Sequence, residues 1–463
     1  LKRAVVESHV PNMASTKRTA KKLTLVEVPK KTKSIMKAKE KSVTKKALIS
    51  KRISKVAKKG LTGTSSGLHH QVSSICGVVV TFGCGDVGQL GLGSDVLDKS
   101  KPGLVSGIDS ALCNVVAGGM HSLCVTKEGQ LYSWGCNDEG ALGHLTKEEE
   151  ECFVPKPISI DQKIVQVSAG DSHTAALTDN GLVYFWGLFR DSSGTMTSIV
   201  PTPTLILPNT FCSMIASGSN HLVCVAVDGN VFTCGTAEQG QLGRVSPYFT
   251  SRGGRRGLDH LLTPGKVHVK PSKHSSGPVL FDACWAGAYC TFIRERGSQS
   301  IYVFGLNNYR QLGVESGDTI LFPVKSSSLS EHQWSKIAGG QHHTVCLSSQ
   351  GQVFSLGRKE YGRLGLGKDC DDQSQPTLIP TLQSVTCCDV GCGESVSFAV
   401  AQDGTLYSWG MGTNNQLGTG EDDNLVPTKV TSKVLESHKA LRIDAGGQHT
   451  IALVSESGSS SAR

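Results

Sequence analysis

Apolar and polar positions alternate between short runs and tight turns from about residue 75 onward. Short apolar runs come in pairs joined by brief polar turns, as in Ala175-Ala176-Leu177, Thr178-Asp179-Asn180-Gly181, Leu182-Val183-Tyr184-Phe185-Trp186. An apolar run, Asp-Asn-Gly and a second apolar run predict a β-hairpin. The layout recurs at Lys127-Glu128-Gly129, Val227-Asp228-Gly229, Ser349-Gln350-Gly351 and Gln402-Asp403-Gly404. Strands apolar on both sides predict sheets buried on both faces. Radial stacking of short sheets achieves this, and so predicts a propeller.

The repeat sets the number of blades. Each second strand ends on a glycine, at Gly83, Gly135, Gly187, Gly235, Gly305, Gly357 and Gly410, with spacings of 52, 52, 48, 70, 52 and 53. A turn follows most of them: GDVGQLG (85–91), NDEGALG (137–143), AEQGQLG (237–243), NNYRQLG (307–313), KEYGRLG (359–365) and TNNQLG (413–418). A second consensus precedes each anchor: AGGMHSLCV (117–125), SAGDSHTAAL (168–177), ASGSNHLVCV (216–225), AGGQHHTVCL (338–347) and AGGQHTIALV (445–454), with weaker copies at 285–293 and 391–400. The period predicts an all-β, seven-bladed β-propeller over 75–455, four strands per blade. Its first copy opens with one strand, Val78–Phe82, and its last ends one strand short at Thr450–Val454. The N- and C-terminal strands are expected to pair and close the ring.

One copy breaks the rule. After Gly187, the stretch Leu188-Phe189-Arg190-Asp191-Ser192-Ser193-Gly194 replaces the turn consensus. A departure within a scaffold is where specificity is carried. The spacing of 70 marks a second departure, an insertion of about 18 residues rich in basic groups: Arg244, Arg252, Arg255, Arg256, Lys266, Lys270 and Lys273.

Composition divides the chain. Residues 1–66 hold 19 Lys+Arg against 3 Glu, a charge of +16, and the remainder carries −8. Residues 1–74 are rich in Lys, Ser, Thr and Ala and lack aromatics, so a disordered basic arm is predicted, with a short disordered tail at 456–463. The arm should seek polyanions; Lys17, Arg18, Lys21, Lys22, Lys30 and Lys31 are candidates for nuclear import or DNA contact, without base readout. Leu1 is not an initiator; the start falls either at Met13, with residues 1–12 as upstream sequence, or before it. The insertion on an acidic body reads as a basic finger for an acidic patch or phosphates. There is no secretory signal and no transmembrane run, and the 16 Cys sit largely in strand patterns, as buried reduced thiols do. No membrane partner is expected.

Chemistry of other kinds is excluded on pattern. Gly83-Cys84-Gly85-Asp86-Val87-Gly88 matches G-x-G-x-x-G, but no helix follows and the string is one copy of a repeat. No phosphate-binding loop of the G-x-x-x-x-G-K-[ST] type occurs. Cys387, Cys388 and Cys392 lack a paired set for zinc. His121, His173, His221, His342 and His449 recur at one repeat position, on blades too far apart to share a metal, so no metal site is predicted; such residues usually satisfy backbone groups. The residues before them, Met120, Ser172, Asn220, Gln341 and Gln448, vary, as does Asp171 two places before His173. No nucleophile–base pair stands out, so covalent catalysis is not expected.

The strings GDVGQLGLG, WGCNDEGALG, SAGDSHTAALTD, GGQHHTVC and WGMGTNNQLGTG, together with the phasing and the arm, resemble the regulator of chromosome condensation family, guanine-nucleotide exchange factors for the small GTPase Ran. The resemblance covers about 75–455. It implies that one face binds the GTPase and that a wedge, Phe189–Met196 here (Phe189, Arg190, Asp191, Ser192, Ser193 and Gly194 at its tip), disturbs the nucleotide's phosphate site. Family exchange residues fall on Asp86, His121, Asp171, His342 and Arg190, with Asn220 and His449 at the equivalent loops. Asn220 stands where the family commonly has Asp, and Ala14-Ser15-Thr16 lacks the X-Pro-Lys that supports N-terminal methylation in vertebrate relatives. The chain itself is expected to bind no cofactor; GDP, GTP and Mg belong to the GTPase. The resemblance further implies nucleosome docking, with Arg252, Arg255, Arg256, Lys270 and Lys273 on the histone acidic patch and the arm on DNA, in the nucleus, plus an import receptor. Two other readings share the fold: a propeller scaffold, for example in ubiquitin-ligase targeting, which usually carries extra domains, and a Trp-based light sensor, for which Trp134, Trp186, Trp285, Trp334 and Trp409 form no clustered motif.

Overall fold

The computed structural model of the protein describes residues 75–270 and 277–456. The basic arm, Lys273 and the end of the tail lie outside the described residues. Seven four-stranded antiparallel sheets form seven blades, and a separate two-stranded hairpin stands apart from them. In six of the seven blades the second strand is buried along its length: His121–Thr126, His173–Thr178, His221–Ala226, His343–Ser348, Val396–Ala401 and His449–Val454 bury all six residues, while Cys290–Glu295 buries its first four. Each such strand is covered by a neighbouring blade on both faces, which is why it lacks polar–apolar alternation. Trp134, Trp186, Trp334 and Trp409 fill the wedges between blades and are at most 2% exposed.

Closure joins the two ends of the described chain. Val78–Cys84 pairs with His449–Val454 from Val78↔Val454 to Gly83↔His449. The N-terminal side supplies two strands rather than the one expected, because Asp98–Leu104 adds outside Val78–Cys84. That outer strand, DKSKPGL, buries little but Pro102 and carries no apolar period, so its sequence gave no strand signal. Outer strands of other blades also carry proline, at Pro157, Pro201, Pro323, Pro376 and Pro427. Proline and charge on an exposed strand discourage edge-to-edge pairing with another molecule.

The histidines of the repeat tie one blade to the next. His121 Nε2 lies 2.9 Å from Thr174 Oγ1, His221 Nε2 2.9 Å from Thr291 Oγ1, His343 Nε2 2.8 Å from Ser397 Oγ, and His449 Nε2 2.9 Å from Ser122 Oγ. Each hydroxyl donates onward to a turn carbonyl, for example Thr174 to Ala141 O and Ser397 to Arg363 O. Its proton is therefore spent, the imidazole must donate through Nε2, and the Nε2–H tautomer is fixed. Burial drives these rings toward the neutral form, to about 3 for His121, His221 and His343 and about 4 for His449.

Inner strands line a central channel of ≈ 430 Å³. Its wall holds Lys336 Nζ 2.8 Å from Asp389 Oδ1. Asp389 Oδ2 accepts Ile443 N–H at 2.9 Å, and Asp444 Oδ2 accepts Ala117 N–H at 3.0 Å. Burial lifts the Asp444 carboxyl to about 6.

Candidate functional site: a braced hairpin on one face of the disc

Geometry puts both variable loops of each blade on the same side. The N–H that follows each anchor glycine donates to the carbonyl of the residue just before the repeat histidine position: Cys84 to Gln448, Cys136 to Met120, Leu188 to Ser172, Thr236 to Asn220, Leu306 to Tyr289, Arg358 to His342 and Met411 to Ser395. The anchors adopt positive φ, as Gly187 does at 88°, and a Cβ there would lie 2.2 Å from Ser172 O, so only glycine fits. Asp86, Asp171, Asn220, His342 and the broken repeat therefore share one face.

Two histidines assigned to that face are removed from its surface. His121 is 1% exposed and His449 0%. Both act inside the disc as blade ties, so the exposed groups at those loops are their neighbours Met120, 45% exposed, and Gln448. His342 is also out of register with them. The buried tie of its blade is His343, whose carbonyl accepts Gly340 N–H as His449 accepts Gly446 N–H and His121 accepts Gly118 N–H. His342 occupies the variable position instead, half-buried, with its ring edge-on to Tyr309 at 5.1 Å. Burial, then the Arg363 and Arg358 charges, lower its pKa. Arg358 in turn lies over the Tyr309 ring at 4.7 Å. In the weaker copies Cys290 and Val396 take the tie position.

The broken repeat folds as a two-stranded hairpin, Arg190–Asp191 against Gly194–Thr195, with Ser192 and Ser193 at its turn. Phe189 is its root rather than its tip. It is 2% exposed and packs on Phe185 at 4.9 Å and His173 at 4.7 Å between ring centroids. Met196, 3% exposed, closes the root, and its N–H donates to Phe189 O at 2.9 Å. His173 has Leu222 where the other ties find a hydroxyl, and this third blade uses its ring as a platform for Phe189.

Four neighbours hold the hairpin upright. The Asn220 amide accepts Arg190 N–H at 2.7 Å and donates to Asp171 Oδ2 at 3.1 Å. Arg190 pairs with Glu139 of the preceding blade's turn. Glu238 of the following blade accepts Ser192 N–H at 3.0 Å and the Ser192 hydroxyl at 2.5 Å. Arg252 of the insertion reaches Asp191, whose side chain is only 1% exposed. Asp171 itself is raised by burial, opposed by hydrogen bonds from Ser219 and Asn220. Glu394, across the channel mouth, is raised by burial and by the Asp171 charge. Sequence reasoning missed Glu139, Glu238 and Glu394; Glu139 and Glu238 lie inside the turn consensus, where a repeated role hides a particular one.

The insertion is a built loop. Arg244 pins it from beneath, with Nε on Thr233 O at 3.1 Å, Nη1 on His260 O at 3.0 Å and Nη2 on Thr263 O at 3.1 Å. Leu261 is fully buried. Arg255 and Arg256 stay exposed and flank the Phe249 ring at 5.9 and 4.5 Å. Tyr248 beside them is 87% exposed. Lys270 is exposed at the end of the described part of the loop.

A seven-bladed ring sealed by its own ends, bearing one hairpin among regular turns, defines an RCC1-like propeller, and residues 78–452 match the RCC1-like domain. The human regulator of chromosome condensation is 48% identical over 397 residues, covering 84% of this chain and 93% of its own. The Saccharomyces cerevisiae guanine nucleotide exchange factor SRM1 is 28% identical, over 81% of this chain and 86% of its own. A solved structure of Prp20p from the same yeast, described with its binding to Gsp1p and histones, superposes with a TM-score of 0.74 at 27% identity, over 85% of this chain and 94% of that one. The chain belongs to the regulator of chromosome condensation family.

Proposed function

We propose that this protein is a guanine-nucleotide exchange factor for a Ran-type small GTPase, acting through the face that carries the hairpin, while docked on nucleosomes in the nucleus. The observation that carries this reading is the hairpin itself, a projecting element fixed by Asn220, Glu139, Glu238 and Arg252 beside Asp86, Asp171 and His342. Relatives named as regulators of chromosome condensation and as exchange factors support it.

No bond is made or broken in such a reaction. A partner that binds the nucleotide-free GTPase more tightly than the loaded form must weaken nucleotide binding by the same factor. A rigid hairpin suits this task, because a flexible one would lose its binding energy in becoming ordered. Its Arg190 and Asp191 would disturb the loops that hold phosphate and Mg on the GTPase; both nucleotide and metal belong to that partner. Arg255, Arg256, Lys270 and Lys273 would meet an acidic histone surface, and the arm with Lys17, Arg18, Lys21, Lys22, Lys30 and Lys31 would meet DNA and an import receptor. The product is a local supply of GTP-bound GTPase near chromatin, which would serve nucleocytoplasmic transport, spindle assembly and nuclear envelope formation.

Release of a fluorescent GDP from purified Ran, with and without the full chain, tests the reading. Acceleration at catalytic concentrations is expected. Unchanged release at micromolar protein would leave the family's other role, a propeller scaffold, as the better description.

A further inference from the structure

Arg252 stands in the basic insertion with Arg255 and Arg256, but its side chain goes elsewhere. The loop turns sharply after it. Gly253, Gly254 and Gly257 take φ of 75°, 51° and 73°, and a Cβ on Gly253 would come within 1.9 Å of Gly257 O. Arg252 itself sits at φ 47°, a left-handed conformation that a non-glycine residue adopts only when its surroundings enforce it. The turn aims its guanidinium back at the third blade. Nη2 donates to Asp191 Oδ1 at 3.1 Å and to Thr195 O at 3.0 Å. Nε lies 3.0 Å from Asp191 Oδ2, off the hydrogen-bonding line, so that contact is electrostatic. One side chain thus grips both strands of the hairpin, Asp191 on one and Thr195 on the other. Asp191 Oδ1 also accepts Ser193 N–H at 2.9 Å, which carries the grip into the turn.

We propose that Arg252 is a positioning residue for exchange: it sets the angle of the hairpin, while its neighbours Arg255 and Arg256 remain for an acidic partner surface. The inference rests on the exchange reading above. Its physical basis is that a planar guanidinium fixes two acceptors in both distance and direction, which a lysine ammonium cannot do. The carboxylate it holds is buried, so without Arg252 the hairpin would retain, beside its turn, a buried charge that has lost its cation, and would tilt toward water. Beyond Arg244, which pins the loop, the insertion therefore divides Arg252, Arg255 and Arg256 between two jobs, and charge counting along the sequence cannot make that division.

The test uses the full chain, its Arg252→Ala, Arg252→Lys, Asp191→Ala, Arg255→Ala and double Arg252→Ala/Asp191→Ala variants, and a chain with Arg190–Gly194 replaced by a short Gly-Ser turn. Fluorescent-GDP release from Ran is measured over a range of GTPase concentrations to separate kcat from KM, and binding to nucleosome core particles is measured in parallel. Arg252→Ala is expected to lower kcat by about 10- to 100-fold, the scale for a displaced acting group, with a smaller change in KM. Arg252→Lys should recover part of the loss, and the double variant should be no worse than the poorer single one. Nucleosome affinity should stay within twofold of wild type for Arg252→Ala and fall for Arg255→Ala. Exchange within twofold of wild type, additive losses in the double variant, or a nucleosome defect in Arg252→Ala equal to that of Arg255→Ala would each overturn the proposal. Thermal unfolding of each variant separates a lost brace from a lost fold. If replacing the hairpin itself leaves exchange intact, the hairpin reading fails and takes the brace with it; if hairpin replacement abolishes exchange and Arg252→Ala does not, the brace alone fails.

Discussion

Asn220 donates its side-chain amide to Asp171 across 3.1 Å while its side-chain oxygen holds Arg190 N–H at 2.7 Å. An aspartate at this position could accept from Arg190 but could not donate to Asp171. It would set two carboxylates against each other, and one of them would have to take up a proton. The amide is therefore a bridge in this chain rather than a lost charge.

Asn220→Asp is expected to make exchange more pH-dependent. Repulsion between the two carboxylates loosens the Arg190 strand at high pH, and a shared proton restores the bridge as pH falls. The ratio of variant to wild-type GDP release, taken from pH 6 to pH 8, should fall with rising pH. A ratio independent of pH would remove the bridge from the mechanism.

Replacing Arg190–Gly194 with a short Gly-Ser turn should abolish exchange and leave the propeller intact. The root residues Phe189 and Met196 stay in the core, so the cost to stability is the hairpin's own contacts, about 0–1 kcal/mol for each exposed pair, with the Arg252–Asp191 pair, whose carboxylate is buried, the costlier one to lose. Unfolding by heat should shift by a few degrees at most, and GDP release should return to the intrinsic rate of the GTPase.

Acid should loosen the ring through its histidine ties. His121, His221, His343 and His449 are held neutral, with values of about 3 or 4 in the fold. The unfolded chain takes up protons near pH 6.5, so it is favoured as pH falls below that value, and the loss continues toward pH 3–4. Each tie contributes a slope of about 1.4 kcal/mol per pH unit within that window. Asp444, raised to about 6, works in the opposite direction, as do Asp171 and Glu394, which burial also raises; His173, which burial drives well below its ordinary value, adds to the four ties. Urea midpoints between pH 7 and pH 4.5 should fall, and His449→Gln should make the fall shallower.

Docking through the basic loop should be sensitive to salt in proportion to the charges engaged. Arg255→Ala and Arg256→Ala are expected to weaken nucleosome binding, each reducing the slope of log affinity against log salt. Deletion of residues 1–66 should reduce that slope further, because the arm's cations release counterions from DNA. Chromatin retention that survives the deletion at every salt concentration would refute a DNA role for the arm.

The blades were legible because they repeat: anchor glycines, hairpin turns and doubly apolar strands report the same geometry seven times. The hairpin was legible for the opposite reason, since it is where the turn consensus stops. What escaped the sequence depended on register and on distance. AGGQH at 338–342 and at 445–449 is the same string, yet the strands place Gly340 with Gly446, so His343 and not His342 faces inward. A one-residue slip exchanges the inside of a strand for its outside, and only the Thr-x-Cys continuation after His343 could have fixed it. Arg252 and Asp191 are 61 residues apart, and Asn220 and Arg190 are 30 apart. Nothing local in either partner announces the other. Asp98–Leu104 was missed because an outermost strand needs no apolar face.

The pairing of Val78–Cys84 with His449–Val454 also sets an order of events during synthesis. Val78–Cys84 can pair early with Asp98–Leu104, but its other partner is made some 370 residues later, so it is among the last strands to be secured. Six blades can assemble as they emerge, while the seventh waits as an unpaired edge that chaperones must cover. A premature stop between residues 430 and 448 would spare six blades and still leave the ring unable to shut.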